Sequence, residues 1–324
     1  MNILVTGGAG YLGSSLVPLL LADGHRVRVL DVLLHGGESL LGVWSHPNFE
    51  FVRGDICDRA QVQSAMTGME AVVHLAAVVG DPACSRQPEL ARAVNLQGSL
   101  ALIEESHRVG VSRFLFASTC SNYGKMKDSS GNSYVTEDSE LTPVSLYAET
   151  KVAVERALLQ SGRDANWSPT PMRFATVFGV SPRMRFDLTV NEFTMEMLTK
   201  KHLTVFGEQF WRPYIHVRDV ARAIQLVLAS PASKVAGEVF NVGATDQNFQ
   251  KQTLVEMIKP HAPDAVVEFV HKNEDPRDYR VSFTRITDNL GYKISRTVAQ
   301  GIDEVARLVR GNVIGNFADG RYRN

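Results

Sequence analysis

The chain has 324 residues, a formal net charge of −1 and a hydrophobic content of 44%. This length accommodates one large α/β domain with an added lobe, or two domains. The charge and the lack of an apolar run of roughly 18 residues give no reason to expect nucleic acid or a membrane as a partner. Three scattered cysteines suit neither a disulfide framework nor a metal site, and no signal-peptide pattern precedes the first strand, so we expect a cytoplasmic protein.

The chain begins with a predicted strand, a glycine-rich turn and a helix. Apolar Ile3–Val5 precede the glycines, and Ser14–Ala22 is apolar at helical spacing. The glycines fit two overlapping patterns, Gly8-x-Gly10-x-x-Gly13 and Gly7-x-x-Gly10-x-x-Gly13. Such glycines let the backbone approach a pyrophosphate, which the N–H groups of the following helix then bind. The pattern indicates a dinucleotide site, with a plain strand-to-helix turn as the alternative.

The second predicted strand, Arg26–Val32, has Asp31 at its tip. An acidic residue about 20 positions beyond the glycines is expected to accept hydrogen bonds from the ribose hydroxyls of a dinucleotide. A carboxylate at this position would repel a 2′-phosphate, which favours NAD over NADP. The alternative is an exposed acid at a strand end, and the preceding glycines argue against it.

Three further strands are predicted at Phe49–Gly54, Ala71–Ala77 and Arg113–Thr119, with helical segments at Asp58–Met66 and Glu89–Arg108. The middle strands lack alternation and are apolar on both faces, as a buried parallel sheet requires. The β-α-β-α order therefore predicts an α/β fold with a doubly wound parallel sheet.

A polar loop over about 125–143 leads to Tyr147-Ala-Glu-Thr-Lys151, which opens a helix predicted to run to about Gln160. Residues four apart lie on one face of a helix. A tyrosine of pKa about 10 is a poor base at pH 7, but a nearby ammonium and a positive nicotinamide ring favour the phenolate. The pairing is common on protein surfaces, and it is informative here because it follows a complete dinucleotide-binding half.

A series of ordered motifs continues along nearly the whole chain. They are Gly7-Gly-Ala-Gly-Tyr-Leu-Gly13, Asp31, Gly54-Asp-Ile56, His74-Leu-Ala-Ala77, Asn95, Ser118-Thr119, Tyr147-x-x-x-Lys151, Arg173-Phe-Ala-Thr-Val-Phe-Gly179, Arg212-Pro-Tyr-Ile-His-Val-Arg-Asp-Val220, Val239-Phe-Asn-Val-Gly243 and Leu290-Gly-Tyr292. The set resembles the extended short-chain dehydrogenase/reductases, a superfamily of NAD-dependent nucleotide-sugar epimerases, dehydratases and reductases.

The segments Ser181–Asn191 and Asp275–Tyr279 resemble a narrower subgroup acting at C4 of nucleotide-activated sugars, including heptose 4-dehydrogenases of bacterial polysaccharide pathways. The helices at about 89–108 and 147–160 resemble those that form a four-helix interface in the family. The resemblance therefore implies a nucleoside-diphosphate sugar as substrate, a role in carbohydrate biosynthesis and a homodimer.

The resemblance also implies a division of the chain into two parts. A Rossmann domain that binds NAD would comprise residues 1–179 and about 214–243. A smaller C-terminal α/β lobe, comprising about 180–213 and 244–324, would hold the nucleotide sugar.

The family's catalytic positions fall on three residues of this chain. Tyr147 would take the proton of the sugar's C4 hydroxyl, Thr119 would hydrogen-bond the C4 oxygen, and Lys151 would bind the nicotinamide ribose and tune the pKa of the tyrosine. The residues implied to line the cofactor are Gly7, Gly10, Tyr11, Leu12, Gly13, Asp31, Asp55, Ile56, Leu75, Ala76, Ala77, Asn95, Tyr147 and Lys151. Of these, Asn95 could equally support the sheet.

Two positions depart from the family pattern. The 4,6-dehydratases have an Asp-Glu pair directly after the threonine, whereas this chain has Cys120 and Ser121, so 4,6-dehydration by that route is not expected. A cysteine can act as an acid or base if its pKa is lowered. Family members that epimerise through cysteine place it where Ser121 stands, so Cys120 is expected to be a packed thiol. Both positions are candidates for lining the sugar site.

Several polar residues are candidates for holding the rest of the substrate. Asp81 could contact the sugar or begin an Asp-Pro turn. The planar fork of arginine suits phosphate oxygens. Candidates for binding the diphosphate or nucleoside are Asn191, Arg212 and Arg277, with Arg183 and Arg185 as an extension of that patch or as surface ion pairs.

Two classes of function follow from these residues. The first is an enzyme that oxidises C4 with NAD and either stops at the ketone, as a 4-dehydrogenase, or returns the hydride, as a 4-epimerase. A nucleotide-sugar reductase or a cysteine-assisted epimerase is a variant of this class. The second is a non-catalytic dinucleotide-binding regulator, since a fold does not fix function. Thr119, Tyr147 and Lys151 argue against the regulator, which would not need them.

Overall fold

The computed structural model describes residues 1–125, 133–164, 166–272 and 278–324. Its strands are β1 (Asn2–Thr6), β2 (Arg26–Asp31), β3 (Phe49–Arg53), β4 (Ala71–His74), β5 (Arg113–Thr119), β6 (Ser168–Phe174), β7 (Thr176–Phe178), β8 (His202–Phe206), β9 (Trp211–His216), β10 (Phe240–Val242), β11 (Asn248–Gln250) and β12 (Val266–Val270). Its α-helices are α1 (Gly13–Ala22), α2 (Arg59–Met66), α3 (Asp81–Arg86), α4 (Pro88–Ala91), α5 (Ser99–Arg108), α6 (Leu146–Gln160), α7 (Thr189–Thr199), α8 (Val217–Ala229), α9 (Ala232–Val235), α10 (Lys251–Ile258), α11 (Thr284–Leu290) and α12 (Val298–Arg310).

The central element is a seven-stranded sheet in the order β10-β6-β5-β4-β1-β2-β3. All of its neighbouring strands run parallel. The order reverses between β1 and β4, and ligands of such sheets bind in the crevice at the carboxyl ends of the strands beside this reversal. The predicted α/β fold with a doubly wound Rossmann-type sheet is confirmed.

Both faces of this sheet are buried, which explains why its strands are apolar without alternation. Ile3 and Val5 of β1 face one hydrophobic cluster, together with Leu16 and Leu20 of α1. Leu4, between them, faces a second cluster on the opposite side. The polar side chains that do lie within these strands, such as Thr170 and Arg173 of β6, are buried and hydrogen-bonded.

The smaller lobe contains a three-stranded mixed sheet, β11-β9-β7, and a two-stranded parallel sheet, β12-β8. Helices α7, α10 and α12 pack on these strands around a third hydrophobic cluster. Strand β9 pairs with β7 and β11, whereas β10 joins the large sheet. The proposed domain boundaries remain a prediction, and the three-stranded sheet departs from them in two places: β7 lies within the predicted Rossmann range, and β9 crosses the predicted boundary after residue 213. No helix in the described part of the chain is long and apolar enough to cross a membrane.

Two predicted elements differ in the structure. The fourth strand ends at His74, so Leu75–Ala77 leave the sheet and form its carboxyl-end border. The helix predicted at 89–108 is divided into α4, a π-helical segment Arg92–Gly98, and α5. The π-helical segment ends at Gly98, which packs closely on Ile56: an added Cβ on Gly98 would lie 3.2 Å from the Ile56 side chain. Periodicity alone cannot reveal such a segment, and π-helical turns are frequent at functional sites.

Candidate active site

The glycine turn is packed too tightly to admit other residues. Gly7 has a φ of +72°, and a Cβ there would lie 2.7 Å from the backbone nitrogen of Ala76. A Cβ on Gly13 would lie 2.4 Å from the carbonyl oxygen of Gly7. Helix α1 begins at Gly13, directly after this turn, and the free N–H groups of a helix N-terminus are suited to bind an anion. This cradle fits the pyrophosphate of a dinucleotide.

Asp31 lies at the end of β2 with both oxygens anchored. One accepts a hydrogen bond from the Ala9 N–H at 2.9 Å and the other from the Leu33 N–H at 2.8 Å. Burial raises the pKa of the carboxyl group, while these two bonds oppose the rise. Each oxygen keeps a further lone pair, so the carboxylate can accept the two hydroxyls of an adenosine ribose.

The other predicted cofactor residues divide into lining and supporting ones. Asp55 follows β3, and Leu75–Ala77 follow β4, all half-buried at the carboxyl edge of the sheet. Ile56 is 4% exposed and belongs mainly to the core. Asn95 is 1% exposed, accepts from the Val78 N–H at 2.7 Å and donates to the Val78 carbonyl at 2.9 Å. Asn95 therefore supports the segment that borders the cofactor.

Tyr11 connects the glycine turn to the second half of the chain. Its hydroxyl donates to the carbonyl oxygen of Gly179 at 2.6 Å, and its side chain is 8% exposed. Leu12 is partly buried and packs on the core. The hydroxyl of Tyr11 is thus occupied by the backbone that leads into the smaller lobe.

Helix α6 brings two of the three predicted catalytic residues to the crevice. The hydroxyl of Ser145 caps its N-terminus by accepting from Ala148 N–H, and it donates to Asp81 at 2.6 Å. Tyr147 is half-buried, and the Lys151 ammonium lies 5.8 Å from the centre of its ring. The same ammonium is 3% exposed and donates to the carbonyl oxygen of Ala117 at 2.8 Å. Asp81 therefore anchors the start of the catalytic helix.

Thr119 is the last residue of β5 and is half-buried. Its hydroxyl oxygen accepts a hydrogen bond from the Ser121 N–H at 3.1 Å, which caps a short 3₁₀ turn over Cys120–Tyr123. The hydroxyl proton remains available for donation to an oxygen in the crevice. Strand β5 adjoins β4, so this hydroxyl is placed beside the end of the strand that borders the cofactor.

In the protein without a cofactor, the pKa of Tyr147 is not lowered, although the sequence analysis predicts that Lys151 favours the phenolate. Burial raises the pKa of Tyr147, the nearby Cys84 and Asp81 raise it further, and Arg185 opposes them. Burial lowers the pKa of Lys151 to about 8, so the amine is still mostly protonated at pH 7. The positive charge of a bound nicotinamide ring is therefore the further contribution that the phenolate requires.

Cys120 does not face the crevice. It is 1% exposed, and its thiol donates to the carbonyl oxygen of Arg173 at 3.3 Å. Burial raises its pKa well above the ordinary value for a thiol. This buried position does not support the candidate role in sugar binding or a cysteine-assisted epimerase, and it agrees with the expected packed thiol. Ser121 is half-buried and lies 3.5 Å from the hydroxyl of Tyr279, at the border of the smaller lobe.

Asn191 has a supporting position. Its side chain is 0% exposed, accepts from the Gly179 N–H at 2.9 Å and donates to the Arg185 carbonyl at 2.8 Å. These bonds join the two ends of the loop 179–185, which contains Arg183 and Arg185. Direct contact with a diphosphate, as the resemblance implies, is therefore not supported by the geometry of Asn191.

The two arginines of this loop point to different ligands. Arg185 forms an ion pair with Asp187 through two hydrogen bonds, at 2.9 and 2.7 Å. The charge of Arg185 also lowers the pKa of Tyr147. The backbone N–H of Arg183 donates to Ser14 at 3.3 Å, and its guanidinium acts electrostatically on Asp31. Arg183 therefore acts on the predicted cofactor residue Asp31, whereas Arg185 acts on the predicted catalytic residue Tyr147.

The last residues of the chain cover Arg183, a feature that the sequence did not indicate. Arg183 is 6% exposed and donates to the Arg323 carbonyl at 3.0 Å and to the Asn324 side chain at 2.9 Å. Tyr322 accepts from the Phe186 N–H at 2.9 Å through its carbonyl, and the two rings meet edge to face. In the part of the chain that the structure describes, Arg183 has no ion-pair partner.

Arg212 lies on β9, in the three-stranded sheet. Its guanidinium lies 5.4 Å from the centre of the Tyr279 ring and donates to the Trp211 carbonyl at 2.7 Å. It is 8% exposed. Arg277 lies outside the described residues. The arrangement of a cation beside an aromatic ring suits recognition of a nucleotide, whose base stacks and whose phosphates take the charge.

A buried ion pair below the site was also missed. Glu155 continues the face of Tyr147 and Lys151 by one more turn, and it pairs with Arg173 on β6. The repeated four-residue spacing after Lys151 is the sequence signal that could have identified Glu155.

A doubly wound parallel sheet, a glycine cradle, an acid at the tip of β2 and a Tyr-Lys helix at the crevice define a dinucleotide-binding α/β protein. The comparisons with known proteins narrow this class. The chain belongs to the NAD dependent epimerase/dehydratase family, whose model matches residues 3–243. This membership confirms the predicted class of NAD-dependent nucleotide-sugar enzymes.

Individual relatives agree with the family. A dTDP-glucose 4,6-dehydratase of Streptomyces niveus is 30% identical, over 96% of this chain and 94% of the relative. The UDP-glucose 4-epimerase of Thermotoga maritima, solved with UDP-glucose, has a TM-score of 0.85 at 28% identity and covers 97% of this chain and 100% of its own. A dTDP-glucose 4,6-dehydratase of Streptomyces venezuelae, solved with NAD, has a TM-score of 0.84 at 28% identity, over 96% and 98%.

Proposed function

We propose that this protein uses NAD to oxidise C4 of a nucleoside-diphosphate sugar, as a 4-epimerase or a 4-dehydrogenase. The observation that supports it best is the joint placement of Tyr147 and Lys151 on α6 and of Thr119 at the end of β5. All three border the crevice where the cofactor's reactive end would lie. A regulator would not require a tyrosine with a buried, oriented lysine ammonium 5.8 Å from its ring.

The residues of this chain have separate tasks in the proposed reaction. Tyr147, as the phenolate, accepts the proton of the C4 hydroxyl, and Thr119 donates a hydrogen bond to the same oxygen. Lys151 holds the nicotinamide ribose and favours the phenolate with its charge. The glycine cradle and Asp31 hold the pyrophosphate and the adenosine ribose. NAD, when bound, supplies the hydride acceptor at C4 and a positive ring.

Similarity to relatives does not decide the outcome at C4, so the proposal depends on the residues themselves. Relatives include both 4,6-dehydratases and 4-epimerases. The resemblance places an Asp-Glu pair after the threonine in 4,6-dehydratases, and Cys120-Ser121 stands there in this chain. A buried thiol with a raised pKa cannot replace a carboxylic acid in the elimination of water. This supports epimerase or dehydrogenase over dehydratase.

Substrate and assembly form a second part of the proposal. Arg185 and Arg212 would bind the diphosphate and the nucleotide, with Arg277 as a further candidate. The resemblance of 181–191 to the C4-acting subgroup suggests a hexose or heptose nucleotide. A cytoplasmic homodimer through α5 and α6 fits the solvent-exposed Leu100 on α5. A nucleotide-sugar reductase of the same fold would use the same residues in reverse.

The test is incubation of the protein with a panel of UDP-, GDP-, ADP-, CDP- and dTDP-sugars, following cofactor absorbance and product by NMR. Accumulation of NADH with a 4-keto sugar identifies a dehydrogenase. A mixture of C4 epimers without net NADH identifies an epimerase. Loss of at least 100-fold in turnover is expected for Tyr147→Phe. Full turnover by Tyr147→Phe, or no response to any sugar nucleotide, would refute the proposal.

A further inference from the structure

Glu155 lies one helical turn beyond Lys151 on α6 and is buried against the large sheet. Lysine and glutamate four apart on a helix commonly form an ion pair. In this structure they do not, since the described residues include no ion-pair partner for Lys151. Its ammonium instead donates to the Ala117 carbonyl at 2.8 Å and lies beside the rings of Phe116 and Tyr147.

The carboxylate of Glu155 is held by Arg173 from the neighbouring strand β6. Both side chains are buried, at 2% and 4% exposed. The Nε of Arg173 donates to the two carboxylate oxygens at 3.1 and 3.2 Å. Its Nη1 donates to the Tyr123 hydroxyl at 2.8 Å and to the Glu137 carbonyl at 3.1 Å. Ser118 donates to the same carboxylate at 2.8 Å, so the pair is fixed from several elements.

We propose that Arg173 is a positioning residue that holds the Glu155 carboxylate away from Lys151, so that the ammonium charge is directed to Tyr147. The inference rests on the proposed function, in which Tyr147 is the base. Without Arg173, a buried carboxylate would lack its cation, and Lys151 is the cation one helical turn away. A lysine paired with Glu155 would favour the phenolate less and would leave the ribose of the cofactor.

Other charged and titratable groups also act on Tyr147. Those from other elements are Cys84, Arg185, Asp81 and Tyr279. Arg185 is the cation among them, and it lowers the pKa of Tyr147 even though Asp187 binds its guanidinium. Its contribution is therefore expected to be unchanged when Arg173 is replaced. On the side of β4, His74 faces Lys151, and burial lowers the pKa of the imidazole to about 3, which keeps it neutral. Around Arg173 itself lie Tyr123, Cys120 and Glu137.

The test uses the pH dependence of kcat/KM with the sugar nucleotide identified by the panel. The acid limb of this pH profile reports the pKa of Tyr147. In Arg173→Met, we expect the limb to move to higher pH by about one unit, because the loss of an opposite charge within 4–6 Å changes a pKa by roughly that much or more. Turnover at pH 7 then falls about tenfold. Glu155→Gln removes the competing carboxylate and should leave the limb at its wild-type position. The double variant Glu155→Gln/Arg173→Met should restore the limb.

A purely structural pair would give a different pattern. Both single variants would then lose stability and turnover alike, and neither would move the acid limb. Thermal unfolding of each variant separates the two effects, and Arg173→Gln replaces Arg173→Met if the latter does not fold.

A second measurement does not depend on turnover. The titration of Tyr147 can be followed by NMR of ¹³C-labelled tyrosine in the NAD complex, with Tyr147→Phe assigning the signal. If no sugar nucleotide reacts, the proposed function fails while this titration still reports on Arg173. An unchanged titration of Tyr147 in both Arg173→Met and Arg173→Gln would overturn the inference.

Discussion

Replacement of Asn95 by alanine decides between two roles that the sequence left open. Asn95 bonds both the N–H and the carbonyl of Val78, at 2.7 and 2.9 Å, from a side chain that is 1% exposed. Each bond contributes about 1 kcal/mol, and a buried backbone group left without a partner costs about 1–3 kcal/mol. Because Val78 is only half-buried and water can partly replace the side chain, we expect a loss of about 2 kcal/mol in unfolding free energy.

The assay is denaturant unfolding with and without NAD, together with calorimetric titration of NAD. If Asn95 supports the segment, Asn95→Ala loses stability in the free protein and NAD affinity falls only a few-fold. Asn166, an exposed asparagine with no side-chain hydrogen bond among those of the described residues, is the matched control, and Asn166→Ala should remain within about 0.5 kcal/mol. A tenfold or greater loss of NAD affinity with unchanged stability would show that Asn95 contacts the cofactor and would refute the supporting role.

Three further predictions concern the arginine loop, the buried thiol and the buried lysine. Arg183→Met should raise the Kd for NAD about tenfold with little change in the KM of the sugar nucleotide, and Arg185→Met should do the reverse, which calorimetry and steady-state kinetics can separate. Cys120→Ala should keep turnover within about threefold, and a 100-fold loss would restore a role for the thiol. Because the Lys151 pKa is lowered to about 8 in the folded protein, the unfolded state binds more protons between about pH 8 and 10. Over that window, denaturant unfolding should show the stability of the wild type rising relative to Lys151→Met by about 1.4 kcal/mol per pH unit, and parallel curves would contradict the burial of a charged lysine.

Five of the seven strands of the large sheet, β1 to β5, were predicted, because each contains an apolar run followed by a recognisable turn or helix. Strands β6 and β10 were not predicted, since β6 contains two prolines, a serine, a threonine and an arginine, and β10 has only three residues. The glycine turn, the position of Asp31 and the Tyr147–Lys151 spacing each involve residues that are close together in the sequence. Such patterns can be recognised without a structure. The end of β4 at His74 was not predictable, because Leu75–Ala77 are as apolar as the strand itself. Only the approach of the glycine turn to Ala76 explains why the strand stops there.

Residues that act through other residues were assigned less well than residues that face a ligand. Asn191 and Asn95 occupy family positions at the site, but their amides hold backbone within it. Position along the chain does not distinguish these roles, because a supporting amide and a ligand-binding amide follow the same motif. The separation of Arg183 from Arg185 also required the structure, since both belong to one loop and only their contacts differ.

The contacts of the last residues bear on the choice between epimerase and dehydrogenase. An epimerase must retain its reduced cofactor until the hydride returns, whereas a dehydrogenase must release it after each turnover. Arg323 and Asn324 bond Arg183, and Tyr322 fixes them against Phe186. Under the proposed function, a dinucleotide bound by Arg183 would leave only after these contacts separate. We therefore predict slower release of NAD from the wild type than from an Arg183→Met variant, and slow release would favour the epimerase among the proposed reactions.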